Sequence, residues 1–526
     1  MLIVLLSLVT WGTTRVDAEL FTAMADVEGL LQAEKEVVNV IDQYISAEYN
    51  RLENLKRVAK EYQMKNKEAL MDGNQYLANP VNAYLLIKRL TSNWDHVESL
   101  MRINSADAFI RNVTSQREST FVKFPDQDDL NGAATALMRL QDTYNLVPHD
   151  IASGKLQDVK SSEVLTAHDC LELARISYNK RDFYHSLMWA EEAIDRRRRE
   201  NPPTIDEADA LEYLAYAMYQ QGNIKRALAL TKHLAEIAPD HPRAKGNVKW
   251  YEDELEKDGI KVKTNEELPP VTNMRGPRDQ EHKTYEALCR GENFKTIAEL
   301  SKLYCAYKSN TPYLRLAPLK YEVMHLKPMV KVFRNVVSDY EIEVIKELAA
   351  PKLKRATVKG GDGSLITVDY RIAKSAWLKS EHHPVVERVN RRLEDMTDLS
   401  MDTAEELQVA NYGLGGHYEP HYDMSTREYD PHDRGDGNRI ATVLFYMSQP
   451  EAGGATAFIN MKLTLFASKN DAAFWYNIKA SGEPDLLTRH AGCPVIAGTK
   501  WVSNKWIHER GQEFRRPCEL DKSFYE

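Results

Sequence analysis

The sequence predicts a multidomain chain, α-helical in its N-terminal half and all-β, as a sandwich or jelly roll, towards its C-terminus. Three observations predict it. Apolar residues fall on a 3-4 spacing from Leu31 to Tyr62, a helical segment repeats at an offset of 41 residues within 166–258, and later segments read as short apolar, aromatic and β-branched runs between turns. With 526 residues the chain can build several cores, and a net charge of -9 argues against nucleic acid as the main partner.

The first element, residues 1–18, has an apolar stretch of about ten residues and a small-residue end at Val16-Asp17-Ala18, as expected of a secretory signal cleaved after Ala18. Ten apolar residues are too few to span a bilayer, and no later segment is long enough either. Secretion suits Asn112-Val113-Thr114, an acceptor sequence for glycosylation at Asn112. Residues 19–150 then form a helical region. In it Val38, Ile41, Ile45, Leu52, Leu55, Ala59 and Tyr62 make nearly a heptad seam, a surface for pairing with another helix, in the same subunit or in a second copy.

Residues 160–258 carry the repeat: "LELARISYNKRDFYHSLMWAEEA" superposes on "LEYLAYAMYQQGNIKRALALTKHL", aligning Ala174 with Ala215 and Tyr178 with Tyr219. Each half reads as helix, polar turn, helix, and "RAKGNVKWYEDELEK" adds a capping helix. This resembles a tetratricopeptide motif, stretched from its period of about 34 by "RRRRENPPT". Such modules bind extended peptides in a concave groove. Tyr213, Tyr216 and Tyr219 share one helix face, and three phenols together favour a groove over a core, because each buried hydroxyl needs a partner. An aromatic groove suits proline-rich peptide, whose polyproline II form is already built and stacks on rings. The cluster "RRRRE" reads as a solvated helix end.

Residues 259–325 are polar and mixed and read as a linker held by a disulfide. Of five cysteines, Cys289 lies near Cys305, and Cys493 near Cys518, so the simplest pairing joins each near pair and leaves Cys170 free and buried. No Cys-x-x-Cys occurs, which speaks against a thiolate zinc site.

Residues 326–526 carry the β texture and the chemistry. "GGHYEPHYD" holds two His-x-carboxylate pairs, His417 with Glu419 and His421 with Asp423. On a strand, residues i and i+2 share a face, so either pair can supply two ligands of a 2-His-1-carboxylate site, with His490 as the third. Spacing alone leaves both pairs open, although Pro420 makes a continuous four-residue face doubtful. Ten residues beyond His490, Lys500 opens an alternating run in which Lys500, Val502, Asn504, Trp506 and His508 share a face if the strand is regular. A lysine pointing into a barrel is costly unless it meets an anion.

These residues closely resemble the α subunits of animal collagen prolyl 4-hydroxylases over nearly the whole chain, most specifically in "HYEPHYD", "LFYMS", "GGAT", "FWYN" and "RHAGCPV" with "KWVSNKWIHERGQEFRRPC". The resemblance implies a helical dimerisation segment, a tetratricopeptide-like peptide-binding domain and a double-stranded β-helix (jelly-roll) dioxygenase domain. It implies that His421, Asp423 and His490 bind Fe(II), that Lys500 pairs with the distal carboxylate of 2-oxoglutarate, and that His508 stands near the chelating end. O2 would be the oxidant and L-ascorbate would rescue the iron.

Tyr178, Glu212, Tyr213, Tyr216, Tyr219, Arg243 and Asn247 match groove positions. Trp250 stands where the vertebrate-type pattern has tyrosine, keeping a stacking surface without the hydroxyl. The near-neighbour cysteine pairs match the family's disulfides. Asn470-Asp471 replaces a glycine turn; both residues tolerate the left-handed backbone, so a changed turn is expected rather than a lost fold.

The implied reaction is 4-hydroxylation of proline in X-Pro-Gly repeats of collagen-like chains, with 2-oxoglutarate decarboxylated to succinate. The implied assembly is α2β2 with protein disulfide isomerase, in the lumen of the endoplasmic reticulum. The chain closes on "KSFYE" without a KDEL-type signal, so retention would fall to that partner. Two rival readings, a peptide-binding chaperone and a dioxygenase acting on lysine or a non-collagen protein, would show respectively no peptide-dependent succinate release and oxygen on a different residue.

Overall fold

The computed structural model describes residues 20–78, 80–102, 106, 109–111, 125–160, 163–260, 268–359, 365–367, 370–426, 435–522 and 524–525. The expected signal segment, 1–18, and the acceptor Asn112 lie outside them. Two compact units result, residues 26–125 and the remainder. No described helix is long and apolar enough to cross a membrane.

The smaller unit is dominated by the 55-residue helix Met24–Ala78, followed by Pro80–Leu90 and Ser92–Arg102. The Arg51 guanidinium donates to the Leu100 carbonyl at 3.0 Å, the Tyr62 hydroxyl donates to Arg89 O at 2.9 Å, and Tyr44 meets Phe109 edge-on. These contacts secure one side of the long helix. Along the seam, Val38, Ile41, Ile45 and Leu52 remain 51–55% exposed, so the unit by itself leaves this stripe uncovered.

In the larger unit the repeat folds as expected. Helices Ala167–Asn179 and Phe183–Arg197 form one pair, Glu207–Gln220 and Ile224–Ile237 the next, and Ala244–Lys257 caps the stack. The starts are set by sequence: Thr166 and Asp169 make a reciprocal capping box, and the Asp182 carboxylate accepts from the His185 amide. Trp189, Leu171, Leu187, Leu228 and the free Cys170 are buried between the helices, whose apolar positions recur at 3-4 spacing.

The β region has two main antiparallel sheets, with two-stranded pairs Thr357–Lys359/Leu365–Thr367 and Ala452–Gly453/Val495–Ala497 beside them among the described residues. The larger orders its nine strands as Cys305–Lys308, Leu319–Leu326, Met329–Arg334, Ala472–Tyr476, Arg439–Tyr446, Trp501–His508, Leu407–Tyr412, Ala373–Leu378 and Lys354–Arg355. The smaller orders four as Tyr418–His421, His490–Gly492, Thr456–Phe458 and Leu463–Leu465. Helices Asp339–Ala349 and Pro384–Thr397 pack their apolar faces on the larger sheet through Ile342, Ile345, Val386 and Leu393. Phe458, Tyr446, Trp475 and Leu465 fill the other core, between the sheets.

The structure crosses two of the expected boundaries and corrects the expected cysteine pairing. The helical region expected over 19–150 is divided: helix Gln127–Tyr144 belongs to the larger unit, where the Tyr144 hydroxyl donates to Pro494 O at 2.6 Å. The expected linker 259–325 contributes strands Cys305–Lys308 and Leu319–Leu326 to the large sheet, so that sheet starts ahead of residue 326. Its polar texture is that of an edge strand, alternately exposed and half-buried.

The near-neighbour cysteine pairs are also not formed. Cys289, which ends helix Gln280–Cys289, joins Cys493, with Cα atoms 5.5 Å apart, while Cys305 and Cys518 are exposed and free. The reason is packing. That helix buries Tyr285, Leu288 and Cys289 against Ala457, Ala491 and Cys493, and the chain turns away through Ile297–Leu300 before Cys305. Proximity in sequence is no guide where a helix and a turn intervene. Asn470 does take the left-handed conformation, φ 77°, and the Asp471 carboxylate accepts from the Asn335 amide and from Arg334.

Candidate metal centre and peptide groove

The metal centre is assembled by strand register. His421 and His490 are direct cross-strand partners in the small sheet, and their rings lie 4.4 Å apart. Asp423 follows its strand by two residues. The three ligand atoms lie within 4.8 Å of one another: His421 Nε2 is 3.8 Å from Asp423 Oδ1, and His490 Nε2 is 3.6 Å from Oδ2. Strand Tyr418–His421 breaks register between Tyr418 and His421, around Pro420. That irregularity decides between the two pairs. His417, buried, keeps Nε2 3.9 Å from Glu419 and stays outside the cluster. The preceding "LGG" is needed for close approach, since a Cβ at Gly416 would fall 2.8 Å from the backbone of Gly413 and Ile372.

Both imidazoles are turned for ligation. His421 Nδ1 contacts Glu419 O at 2.8 Å and His490 Nδ1 contacts Thr488 O at 3.0 Å. A carbonyl only accepts, so each Nδ1 carries the proton and each Nε2 presents a lone pair. Burial, then the neighbouring His490, pushes the His421 pKa down to about 3, so the ring is neutral. Burial would raise the Asp423 carboxyl, but the two histidines, Arg439 and the Thr442 hydroxyl hold it below its usual value. Two neutral imidazoles and one carboxylate suit a divalent ion such as Fe(II) and leave coordination positions open. Tyr418 stacks on His421 at 3.6 Å, and Trp475 and Phe458 pack on His490.

Lys500 lies in the same cavity, 2% exposed, beside Tyr412, Val502, Asn504 and Trp506. Its ammonium is 4.6 Å from the Tyr412 ring centre and has no carboxylate partner among the described residues; burial alone pushes its pKa down to about 7. A buried, unpaired amine next to a metal cluster fits an anionic co-substrate. The alternation expected from Lys500 reaches Trp506 but not His508. His508 Nδ1 meets Gly437 O at 2.8 Å, its Nε2 meets Glu405 at 3.1 Å, and it is absent from the cavity wall. A register shift opposite, between Arg439 and Ala441, carries the strand end out of phase. His508 thus joins Glu405 and Arg439, whose guanidinium lies 4.0 Å over Trp506.

In the helical module Tyr178, Tyr213, Tyr216 and Tyr219 are half-buried rather than core. The Tyr178 ring lies 5.2 Å from Tyr213 and 5.3 Å from Tyr216, and Tyr216 lies 6.1 Å from Tyr219. Trp250, 54% exposed, donates its indole N–H to the Tyr219 hydroxyl at 3.0 Å. Glu212 is held by Arg243 and, at 3.3 Å, by His241. Asn247 is half-buried on the neighbouring helix, Ala244–Lys257. Tyr178, Tyr213, Tyr216, Tyr219 and Trp250 thus form one aromatic row, with Glu212 and Arg243 paired on the same module.

Sequence reasoning missed several side chains. Phe183 extends the aromatic row, 5.8 Å from Tyr178 and 5.7 Å from Tyr216; its place as the first residue of helix Phe183–Arg197, four before Leu187, was the available signal. Arg371, over the Tyr418 ring at 4.7 Å, and Thr442, which donates to Asp423, carry no motif of their own.

Three family models match: "Prolyl 4-Hydroxylase alpha-subunit, N-terminal region" over residues 23–158, "Prolyl 4-hydroxylase peptide-substrate-binding domain" over 167–257, and "2OG-Fe(II) oxygenase superfamily" over 407–508. Among similar proteins, the chain is 55% identical to prolyl 4-hydroxylase subunit alpha-2 of Caenorhabditis elegans, across 97% of this chain and 95% of that one. It is 49% identical to subunit alpha-1 of the same organism, across 97% and 92%. It is 45% identical to subunit alpha-1 of Homo sapiens, across 95% and 96%.

Proposed function

Because this chain belongs to the family of prolyl 4-hydroxylase α subunits, we propose that its metal centre hydroxylates C4 of proline in X-Pro-Gly repeats of collagen-like chains delivered by its aromatic groove. It is a 2-oxoglutarate-dependent dioxygenase. The observation that carries the reading is the cross-strand pair His421–His490 with Asp423, next to a buried lysine without a carboxylate of its own.

His421, Asp423 and His490 would hold Fe(II), and Lys500 would pair with the distal carboxylate of 2-oxoglutarate. Bound there, iron would supply the oxidising chemistry, with O2 as oxidant and 2-oxoglutarate as co-substrate, one oxygen going to proline and the other to succinate as carbon dioxide leaves, and with ascorbate as reductant. The protein's own work is to bind, orient and exclude water. Tyr418, Phe458 and Trp475 wall the ligands with rings. The groove would offer tyrosine hydroxyl and Arg243 guanidinium donors to a substrate in which proline brings carbonyls but no N–H. Incubating the chain, with any partner it needs for solubility, with Fe(II), ascorbate, 2-oxoglutarate and (Pro-Pro-Gly)n tests this: peptide-dependent succinate release and 4-hydroxyproline are expected, and release without peptide oxidation opposes it.

The assembly follows from the same reading. The exposed stripe Val38–Ile41–Ile45–Leu52 supports self-association through the long N-terminal helices. Protein disulfide isomerase as β subunit of an α2β2 enzyme, and residence in the endoplasmic reticulum lumen, complete the proposal. Expression without the isomerase should give aggregated or secreted chain; soluble, active and retained lone subunit would refute it.

A further inference from the structure

Asp423 has two carboxylate oxygens, and the structure treats them differently. Thr442 Oγ1 lies 2.7 Å from Oδ2, and Asn477 Nδ2 lies 2.9 Å from Thr442 Oγ1. No hydrogen bond reaches Oδ1 among the described residues. An ionised carboxylate only accepts, so the single threonine proton goes to Oδ2. The threonine oxygen must then accept in turn, which fixes the Asn477 amide with its NH2 towards Thr442. Thr442 is 1% exposed and Asn477 fully buried, so no bulk water competes.

Both residues sit on rigid backbone. Thr442 pairs with Trp475 on one side and Trp506 on the other, in the middle of the large sheet. Asn477 N donates to Ile440 O at 2.8 Å, and Asn477 O accepts from the Asp485 amide at 2.9 Å. Asn477 Oδ1 is left buried without a partner. Such an unmet acceptor is a cost in a packed core, tolerated where the other end of the amide is needed.

We propose that Asn477 and Thr442 are positioning residues: they fix the Asp423 carboxylate through a hydrogen bond to Oδ2, which also lies 3.6 Å from His490 Nε2, so that the carboxylate meets the metal through one oxygen only. The consequence is stoichiometric. A carboxylate bound through one oxygen leaves three of six octahedral positions open beside two histidines, enough for a chelating co-substrate and dioxygen; a carboxylate bound through both would close one. The large sheet, through Thr442, thus sets the coordination number of a site whose two histidines stand on the small sheet. The inference rests on the reading of the site as an iron dioxygenase centre.

The test uses the full-length enzyme with whatever partner keeps it soluble, and three variants: Thr442→Val, which keeps shape and loses the hydroxyl, Thr442→Ser, which keeps the hydroxyl, and Asn477→Leu. Anaerobic titration with Mn(II) or Fe(II) alone reads metal affinity, the Co(II) electronic spectrum reads coordination, and succinate formed per hydroxyproline reads coupling. Thr442→Val should bind metal about 10–100-fold more weakly, with an altered Co(II) spectrum and excess succinate. Thr442→Ser should stay within a few-fold of wild type. Asn477→Leu should weaken binding less, and adding it to Thr442→Val should bring no further loss.

Wild-type metal affinity and spectrum in a folded Thr442→Val protein would overturn the proposal, as would strictly additive effects of the two substitutions. If Thr442→Val does not fold, Asn477→Leu in the Thr442→Ser background decides: an unchanged spectrum and affinity overturns it, and a weakened, respectralised site supports it. Wild-type enzyme that binds no divalent metal at this cluster would instead fail the reading of the site.

Discussion

Removing the Lys500 amine should separate two effects that the fold holds in opposition. Without an anion, a buried ammonium is a burden: burial pushes its pKa from 10.5 down to about 7, on the order of a few kcal/mol against the charged form. The folded pKa lies below the unfolded one. The cost is therefore complete below about pH 7 and fades as pH rises towards 10.5, where the unfolded lysine also loses its proton. Lys500→Met, which keeps the volume, should raise the thermal unfolding transition of the ligand-free protein at pH 7, with a gain shrinking at pH 9–10.

With 2-oxoglutarate bound the sign reverses. Loss of one partner of a buried charge pair costs about 2–5 kcal/mol, or about thirtyfold to a few thousandfold in affinity. Lys500→Ala should therefore raise the dissociation constant and KM for 2-oxoglutarate by that range while the KM for peptide holds. Calorimetric titration of metal-loaded protein measures it. An unchanged 2-oxoglutarate affinity in Lys500→Ala, or destabilised ligand-free Lys500→Met, would refute the reasoning.

His421→Ala or Asp423→Ala should abolish turnover, whereas His417→Ala should leave most of it; the reverse order in initial rates would move the metal to the other pair. Non-reducing peptide mapping should recover Cys289 linked to Cys493, and Cys289→Ser should cost about 2–5 kcal/mol in denaturant unfolding; recovery of Cys289–Cys305 would contradict the packing described. His185, despite its burial, is held up at about 9 by Asp142 and Asp182, which lie 3.1 and 2.6 Å from its nitrogens. Its contribution is complete below pH 6.5 and lost as pH rises through about 9, so stability of the helical module should fall across that window in wild type and much less in His185→Gln.

What could be read in advance depended on distance along the chain. The repeat, the long helix and the β texture follow from local periodicity, and all three formed. Spacing left two His-x-carboxylate pairs open and only the resemblance chose between them; His421, Asp423 and His490 come together where strand Tyr418–His421 breaks register around Pro420, which no regular i, i+2 rule would show. The disulfide was not legible, since it joins residues 204 positions apart through a helix packed on a sheet. Nor were Thr442 and Asn477, whose roles arise only when strand Arg439–Tyr446 crosses behind Asp423. The side chain of His508 is placed by a related cause: alternation is a property of regular strands, and this one meets a shifted neighbour at its end.

The central claim is that a His421–Asp423–His490 centre oxidises proline carried in by the groove. Mass spectrometry of (Pro-Pro-Gly)n after reaction under 18O-labelled dioxygen tests it most directly. The account predicts one labelled oxygen per modified residue, on C4 of the proline preceding glycine, in step with succinate and absent in Asp423→Ala. Unmodified peptide, or label on any other residue or carbon, would contradict it.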